Sequence, residues 1–180
     1  MGLDITYVRQ AKLLDAIADE NHEPIDPTTR EPIECDEYER PYVNPDFPGR
    51  ADDVVDRAFY SAAESCGFNA GGYGGYGHWR NTLAKLAGYE GVVDADRFSP
   101  GTINHCRACW DGAQGPFSEL INFSDCEGTI GAAVSAKLAR DFAEFQAKAD
   151  AHPDERFRTK YAEWRAAFEC ASDSGFVRFH

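Results

Sequence analysis

The sequence predicts an α+β fold in which a small sheet, holding the strands at both ends of the chain, packs against a C-terminal antiparallel helix hairpin. Three observations predict it. Leu3, Ile5 and Tyr7 alternate with Asp4 and Thr6, the period-two pattern of a half-buried strand. Ile130, Val134, Leu138, Phe142 and Phe145, then Phe157, Tyr161, Trp164 and Phe168, form two apolar stripes at helical spacing on either side of Pro153. Phe176-Val177-Arg178-Phe179-His180 follows Gly175, a helix stop, and reads as a short final strand.

The elements between these landmarks follow in order. Lys12 to Ala18 adds a short helical turn. Asn21 to Arg50 carries Pro24, Pro27, Pro32, Pro41, Pro45 and Pro48 among many charges, and is read as an extended acidic excursion on the surface. Val54 to Phe68 has Val54, Val55, Ala58, Phe59, Ala62 and Ala63 at helix-like spacing, although Phe59-Tyr60 equally suits a strand. Asn69 to Gly77 is too rich in glycine for a helix or a stable strand interior. From His78 or Trp79 a short helix runs to Ala87 and closes on Gly88. Glu90 to Gly115 reads as loop, with a turn at Pro100-Gly101, and Phe117 to Phe123 as a strand. The first long helix is expected from about Thr129 to Ala149 and the second from Asp154 to about Ser172, their short link making a hairpin.

Composition bounds the function. The 180 residues fit one domain of the usual size, roughly 100 to 200 residues. A hydrophobic share of 43 % with 13 % aromatics supplies one core and excludes global disorder. Lys and Arg total 18 against 31 Asp and Glu, and the net charge of −13 disfavours direct nucleic-acid binding. A basic partner protein, a cation, or a ligand in a locally neutral pocket remains open. No apolar run reaches the roughly 18 residues of a membrane span. The first residues lack the basic and apolar regions of a secretory signal, and Tyr7 stands where a myristoylation motif needs Ser or Thr, so the expected location is the cytoplasm. There the six cysteines are expected as reduced thiols. Cys106-Arg107-Ala108-Cys109 has the C-x-x-C spacing but no second pair to close a zinc site, and no metal or cofactor is expected.

Two segments can carry a site. Asn122-Phe123-Ser124-Asp125-Cys126-Glu127-Gly128 is the densest polar cluster. Ser124 and Glu127 fit a capping box at the start of the first long helix. Asn122, Asp125 and Glu127 add hydrogen-bonding groups beyond what a cap needs, and Gly128 and Gly131 allow close approach of another group. The other segment is the glycine-rich stretch. It contains no phosphate-binding motif, but Tyr73, Tyr76 and Trp79 offer rings to a planar ligand and Arg80 a charge to an anion. Cys126 is a nucleophile candidate only if His78, His105 or His180 meets it.

The opening Gly2-Leu3-Asp4-Ile5-Thr6, the Gly-Tyr-x-Gly-Tyr stretch through Trp79, the run Glu119 to Gly128 and the closing Phe179-His180 resemble a group of small uncharacterised proteins of tailed bacteriophages and prophages. The resemblance covers both ends and the middle, and excludes the proline-rich excursion and Cys106 to Cys109. It implies an accessory protein acting in the cytoplasm of an infected host, binding a host protein or a small polar molecule such as a signalling nucleotide. The expected function is therefore non-catalytic binding, with the ligand between the Asn122 to Glu127 turn and the stretch carrying Tyr73, Tyr76, Trp79 and Arg80. Two alternatives stand beside it: a small hydrolase using Asp125 or Glu127 as general base, with or without a metal, and an inhibitor whose acidic surface mimics nucleic acid.

Overall fold

The computed structural model describes residues 2–35, 37–93, 101–123 and 128–180. Strand β1 (Leu3–Arg9) leads through short strands β2 (Lys12–Leu13), β3 (Ile17–Ala18), β4 (Pro24–Ile25) and β5 (Tyr60–Ser61) to the long strand β6 (Glu64–Gly71). Helix α1 (Tyr73–Ala87), strands β7 (Val92–Val93) and β8 (Ile103–Asn104), and short helices α2 (Arg107–Trp110) and α3 (Ser118–Asn122) form the middle of the chain. Strand β9 (Gly128–Gly131), helices α4 (Ala132–Asp150) and α5 (Glu155–Ala171), and strand β10 (Phe176–Phe179) complete it. The main sheet has the order β6-β1-β10-β9 and is antiparallel throughout, with Ile5 opposite Phe179 and Val177 opposite Ile130.

The terminal strands, the helix hairpin and the sheet beneath it are those the sequence predicts. Leu138, Phe142 and Phe145 of α4 and Phe157, Tyr161, Trp164 and Phe168 of α5 are buried over Leu3, Ile5, Val177 and Phe179. Within that core the Trp164 ring stacks on Tyr76, Trp79, Phe168 and Phe179. The Tyr161 hydroxyl donates to the Phe142 carbonyl at 2.7 Å, so the phenol enters the interior without an orphaned polar atom. Asp154 caps α5 by accepting from the Arg156 amide at 2.9 Å.

The other face of the sheet makes contact with the excursion. Val8, Tyr60 and Phe176 form a second, smaller cluster there, flanked by Val54, Ala58 and Ala62. Glu39 pairs with Arg178 on that same face, and Phe47 lies against Phe123 with ring centroids 4.8 Å apart. The proline-rich segment lies on the surface and is tied to the sheet at Glu39 and to the main core at Phe47. Residues 54–68 hold no helix: Tyr60 and Ser61 form β5, and the chain from Glu64 onward forms β6. Lys12 to Ala18 likewise forms strand pairs rather than a helical turn.

Three further local expectations change. Phe117 to Phe123 is mostly helix α3, entered through a left-handed Phe117 whose amide donates to buried Asp141 at 2.7 Å. The first long helix begins at Ala132 because residues 128–131 pair with β10 as β9. Ser124 and Glu127, expected to cap it, lie outside the described residues; Asp53, remote in sequence, accepts from the Ala133 amide at 2.9 Å. The two glycines have structural causes: a Cβ on Gly131 would lie 1.8 Å from Asp53 Oδ1, and one on Gly128 would lie 2.6 Å from the Phe123 ring. Lastly, α1 starts at Tyr73 and contains Gly74, Gly75 and Gly77. Three helical glycines cost up to about 1 kcal/mol each relative to alanine. Burial of Tyr76, Trp79 and Leu83 along one face of α1 offsets that cost.

Candidate functional site

Helix α1 positions the site, because one turn of it carries both a core anchor and a buried charge. Trp79 faces the aromatic core, with its ring 5.6 Å from Trp164. Arg80, the next residue, is only 6 % exposed. Its Nη1 donates to the Ile121 carbonyl at 3.1 Å and the Phe123 carbonyl at 3.2 Å, at the end of α3. The guanidinium also lies over the Tyr76 ring at 4.7 Å, and Tyr76 donates its own hydroxyl to the Phe123 carbonyl at 3.2 Å. Nε is sealed with no acceptor among the described residues, and no carboxylate among them pairs with Arg80. Burying a cation without an anion is costly, so a buried unpaired guanidinium calls for a cause.

Arg80 lines a cleft of about 320 Å³ between α1 and the segment leading into α2. From α1 come Gly77, His78, Arg80 and Asn81; from the facing segment come Thr102, Ile103, Asn104, Cys106 and Trp110. Asn81 fixes the two walls together. Its Nδ2 donates to the Ile103 carbonyl at 3.0 Å and its Oδ1 accepts from the His105 amide at 2.6 Å. The His105 ring is held in turn by the Tyr89 carbonyl at 2.7 Å, and Asn104 Oδ1 accepts from the Cys106 amide at 2.9 Å. These bonds hold the wall by side chain and backbone together, so the cleft is formed without a ligand. Trp110 stands at its edge, 47 % exposed. Burial pushes the Cys106 thiol up to about 11, which keeps it protonated and poorly nucleophilic at neutral pH.

A second cleft of about 380 Å³ lies across His78, between α1 and the start of α5. Trp79 and Phe157 give it an apolar floor. Its charged groups are partly committed: Asp154 caps α5, and Lys160 bonds the Asn69 carbonyl at 2.6 Å and Glu163 at 2.7 Å.

The residues singled out from sequence separate into three groups. Arg80 lines the first cleft, and Trp79 the second. Tyr76 is fully buried, so its ring belongs to the core rather than to an open stacking platform, while Tyr73 is exposed at the first position of α1. Asn122 is half-buried at the end of α3, and Ser124, Asp125, Cys126 and Glu127 lie outside the described residues. The two candidate segments do meet: Tyr76 and Arg80 of the glycine-rich stretch both hydrogen-bond the Phe123 carbonyl. Sequence reasoning missed Asn81, Ile103, Asn104 and Trp110 as cleft residues. The signal available was a tryptophan placed in an otherwise polar, loop-like stretch.

The cysteines are free thiols at Cys35, Cys66, Cys106, Cys109 and Cys170. Among the described residues no group of three or more His, Cys, Asp or Glu side chains is arranged to hold a metal, and no helix is long and apolar enough to cross a membrane. His180 is held by the sheet, its amide donating to the Asp4 carbonyl and its Nε2 lying 2.9 Å from Thr6 Oγ1. The fold and cleft together define an α+β protein with a preformed recess of mixed polar and apolar lining beside its first helix. Compared with models of known protein families, with characterised proteins and with solved structures, the chain matches none.

Proposed function

We propose that this is a non-catalytic binding protein of the phage accessory type, acting in the host cytoplasm, and that it holds a small polar ligand in the Arg80 cleft. The observation that carries the proposal is the state of Arg80: a guanidinium 6 % exposed, bonded to two neutral carbonyls, unpaired by any described carboxylate, and lining an open recess. The recess is near the lower end of the roughly 300–1,000 Å³ of small-molecule sites, which favours a metabolite-sized ligand over a macromolecule. Binding without turnover is favoured by the chemistry of the described lining, where Cys106 stays protonated and no carboxylate stands as a base among the described residues.

Native mass spectrometry tests the proposal on protein purified from cells and incubated with a metabolite extract. The wild-type chain should carry a bound small molecule that Trp110→Ala loses while keeping its melting temperature, since Trp110 sits at the surface. A wild-type chain that retains nothing, or a Trp110→Ala chain that retains the same mass equally well, overturns it.

A further inference from the structure

We infer that the ligand of this cleft is a small aromatic oxyanion, its anionic group at Arg80 and its planar ring against Trp110; the inference rests on the binding role proposed above. The chain carries 31 Asp and Glu against 18 Lys and Arg, yet among the described residues none of the acidic ones lines the cleft. Arg80 supplies a positive charge there, and the His78 imidazole lines the same recess. Its carbonyl partners orient the guanidinium without neutralising it, and the Tyr76 ring offsets only part of the missing charge. Nη2 makes no hydrogen bond to a described residue, and Arg80 lines the recess, so one donor edge is available to an incoming group. A neutral ligand would cover that edge and strand it. A cation would be repelled. An oxyanion pairs with it in the charge-assisted geometry that guanidinium groups favour.

The ring half of the ligand follows from Trp110. Of the three tryptophans it alone is exposed, at 47 %, while Trp79 and Trp164 are 6 % and 1 % exposed. Ile103, at 54 % exposed, lines the same recess and extends its apolar wall. A flat ring laid on the indole covers apolar surface that the fold leaves in water, and offset stacking adds to that burial.

The exposure difference also supplies the assay, because quenching of Trp110 fluorescence reports on this cleft. Phenyl phosphate and benzoate serve as probes, benzyl alcohol as the uncharged ring, and inorganic phosphate as the charge without a ring. We expect the two charged aromatic probes to perturb Trp110 and inorganic phosphate to compete with them. Benzyl alcohol should bind about ten- to a hundred-fold more weakly, the difference one charged hydrogen bond makes. The tighter of phenyl phosphate and benzoate identifies the oxyanion. Trp110→Phe gives the matching control, binding the probes with the fluorescence change abolished. Benzyl alcohol binding as tightly as phenyl phosphate overturns the oxyanion assignment and leaves the binding site standing. Silence of Trp110 towards every probe at millimolar concentration overturns the assignment too; joined to an empty protein in native mass spectrometry, it overturns the binding role with it.

Discussion

Replacing Arg80 by lysine separates the two things this side chain does. Lysine keeps the positive charge, but a single ammonium on a flexible stem cannot reproduce the planar guanidinium that reaches the Ile121 and Phe123 carbonyls from one nitrogen. At least one of the two bonds, at 3.1 and 3.2 Å, is lost in an environment only 6 % exposed. A hydrogen bond to a charged group contributes roughly 1.5–3 kcal/mol, so Arg80→Lys should destabilise the fold by about that amount. For a chain of this size each kcal/mol moves the melting temperature by about 2–4 °C, which places the expected drop at about 3–12 °C. Thermal unfolding followed by circular dichroism reads it directly. A melting temperature unchanged to within about one degree would show that the guanidinium does not hold α3 against α1, and the buried-charge argument would fail with it.

Gly175 makes a second prediction. A Cβ there would stand 1.8 Å from the Val8 carbonyl oxygen and 3.2 Å from the Ala171 Cα, so Gly175→Ala forces β1 and the end of α5 apart. It should cost about 1–3 kcal/mol or more, measured by urea unfolding. Gly77→Ala should do the reverse, stabilising by about 0.5–1 kcal/mol, because a Cβ at this helical position meets open space. The acid limb of the stability curve gives the last. Burial pushes the Glu119 carboxyl up, but its bonds to Lys137, at 2.5 Å, and to Ser118 outweigh this and hold it below the usual carboxylate range. A lowered folded-state value stabilises above the unfolded value, near 4.3, and that stability is lost as pH falls through the folded one. Glu119→Gln should therefore be less stable than wild type near neutral pH, with the gap closing in acid; a gap that persists in strong acid would contradict the ion pair.

The parts of this fold legible in the sequence are those where one periodicity dominates. Leu3, Ile5 and Tyr7, the stripes from Leu138 to Phe145 and from Phe157 to Phe168, and the stop at Gly88, with φ of +93°, all satisfy a local rule that the tertiary structure does not override. Where the rules compete, the sequence misleads. The glycines of α1 argue against a helix, and only the burial of Tyr76, Trp79 and Leu83 by α5 and the sheet decides otherwise. Ile130 fits the stripe of α4 by spacing, but its partner is Val177 across a strand pair, a long-range pairing that no window of sequence contains. Ser124 and Glu127 spell a capping box, yet the helix they would cap starts later and takes its cap from Asp53. For the site, the residue types were legible at Arg80 but the facing wall was not. Asn81, Ile103 and His105 come together through side-chain-to-backbone bonds across 22 to 24 residues of separation, and such bonds leave no periodic trace. The helix stop at Gly175 has its own cause: the left-handed residue is Ser174, and glycine follows it because the Val8 carbonyl leaves no room for a side chain.

The central claim, that the recess between α1 and α2 is where this protein binds its ligand, is tested most directly by residue-resolved NMR of the ¹⁵N-labelled chain titrated with phenyl phosphate. The account predicts that the largest shifts fall on the Trp110 indole N–H, the Asn81 side-chain amide and the backbone amides from Ile103 to Cys106, with the Glu39 and Arg178 face of the sheet unmoved. Shifts concentrated on that opposite face, or no shift at Trp110 and Asn81 under saturating probe, would contradict it.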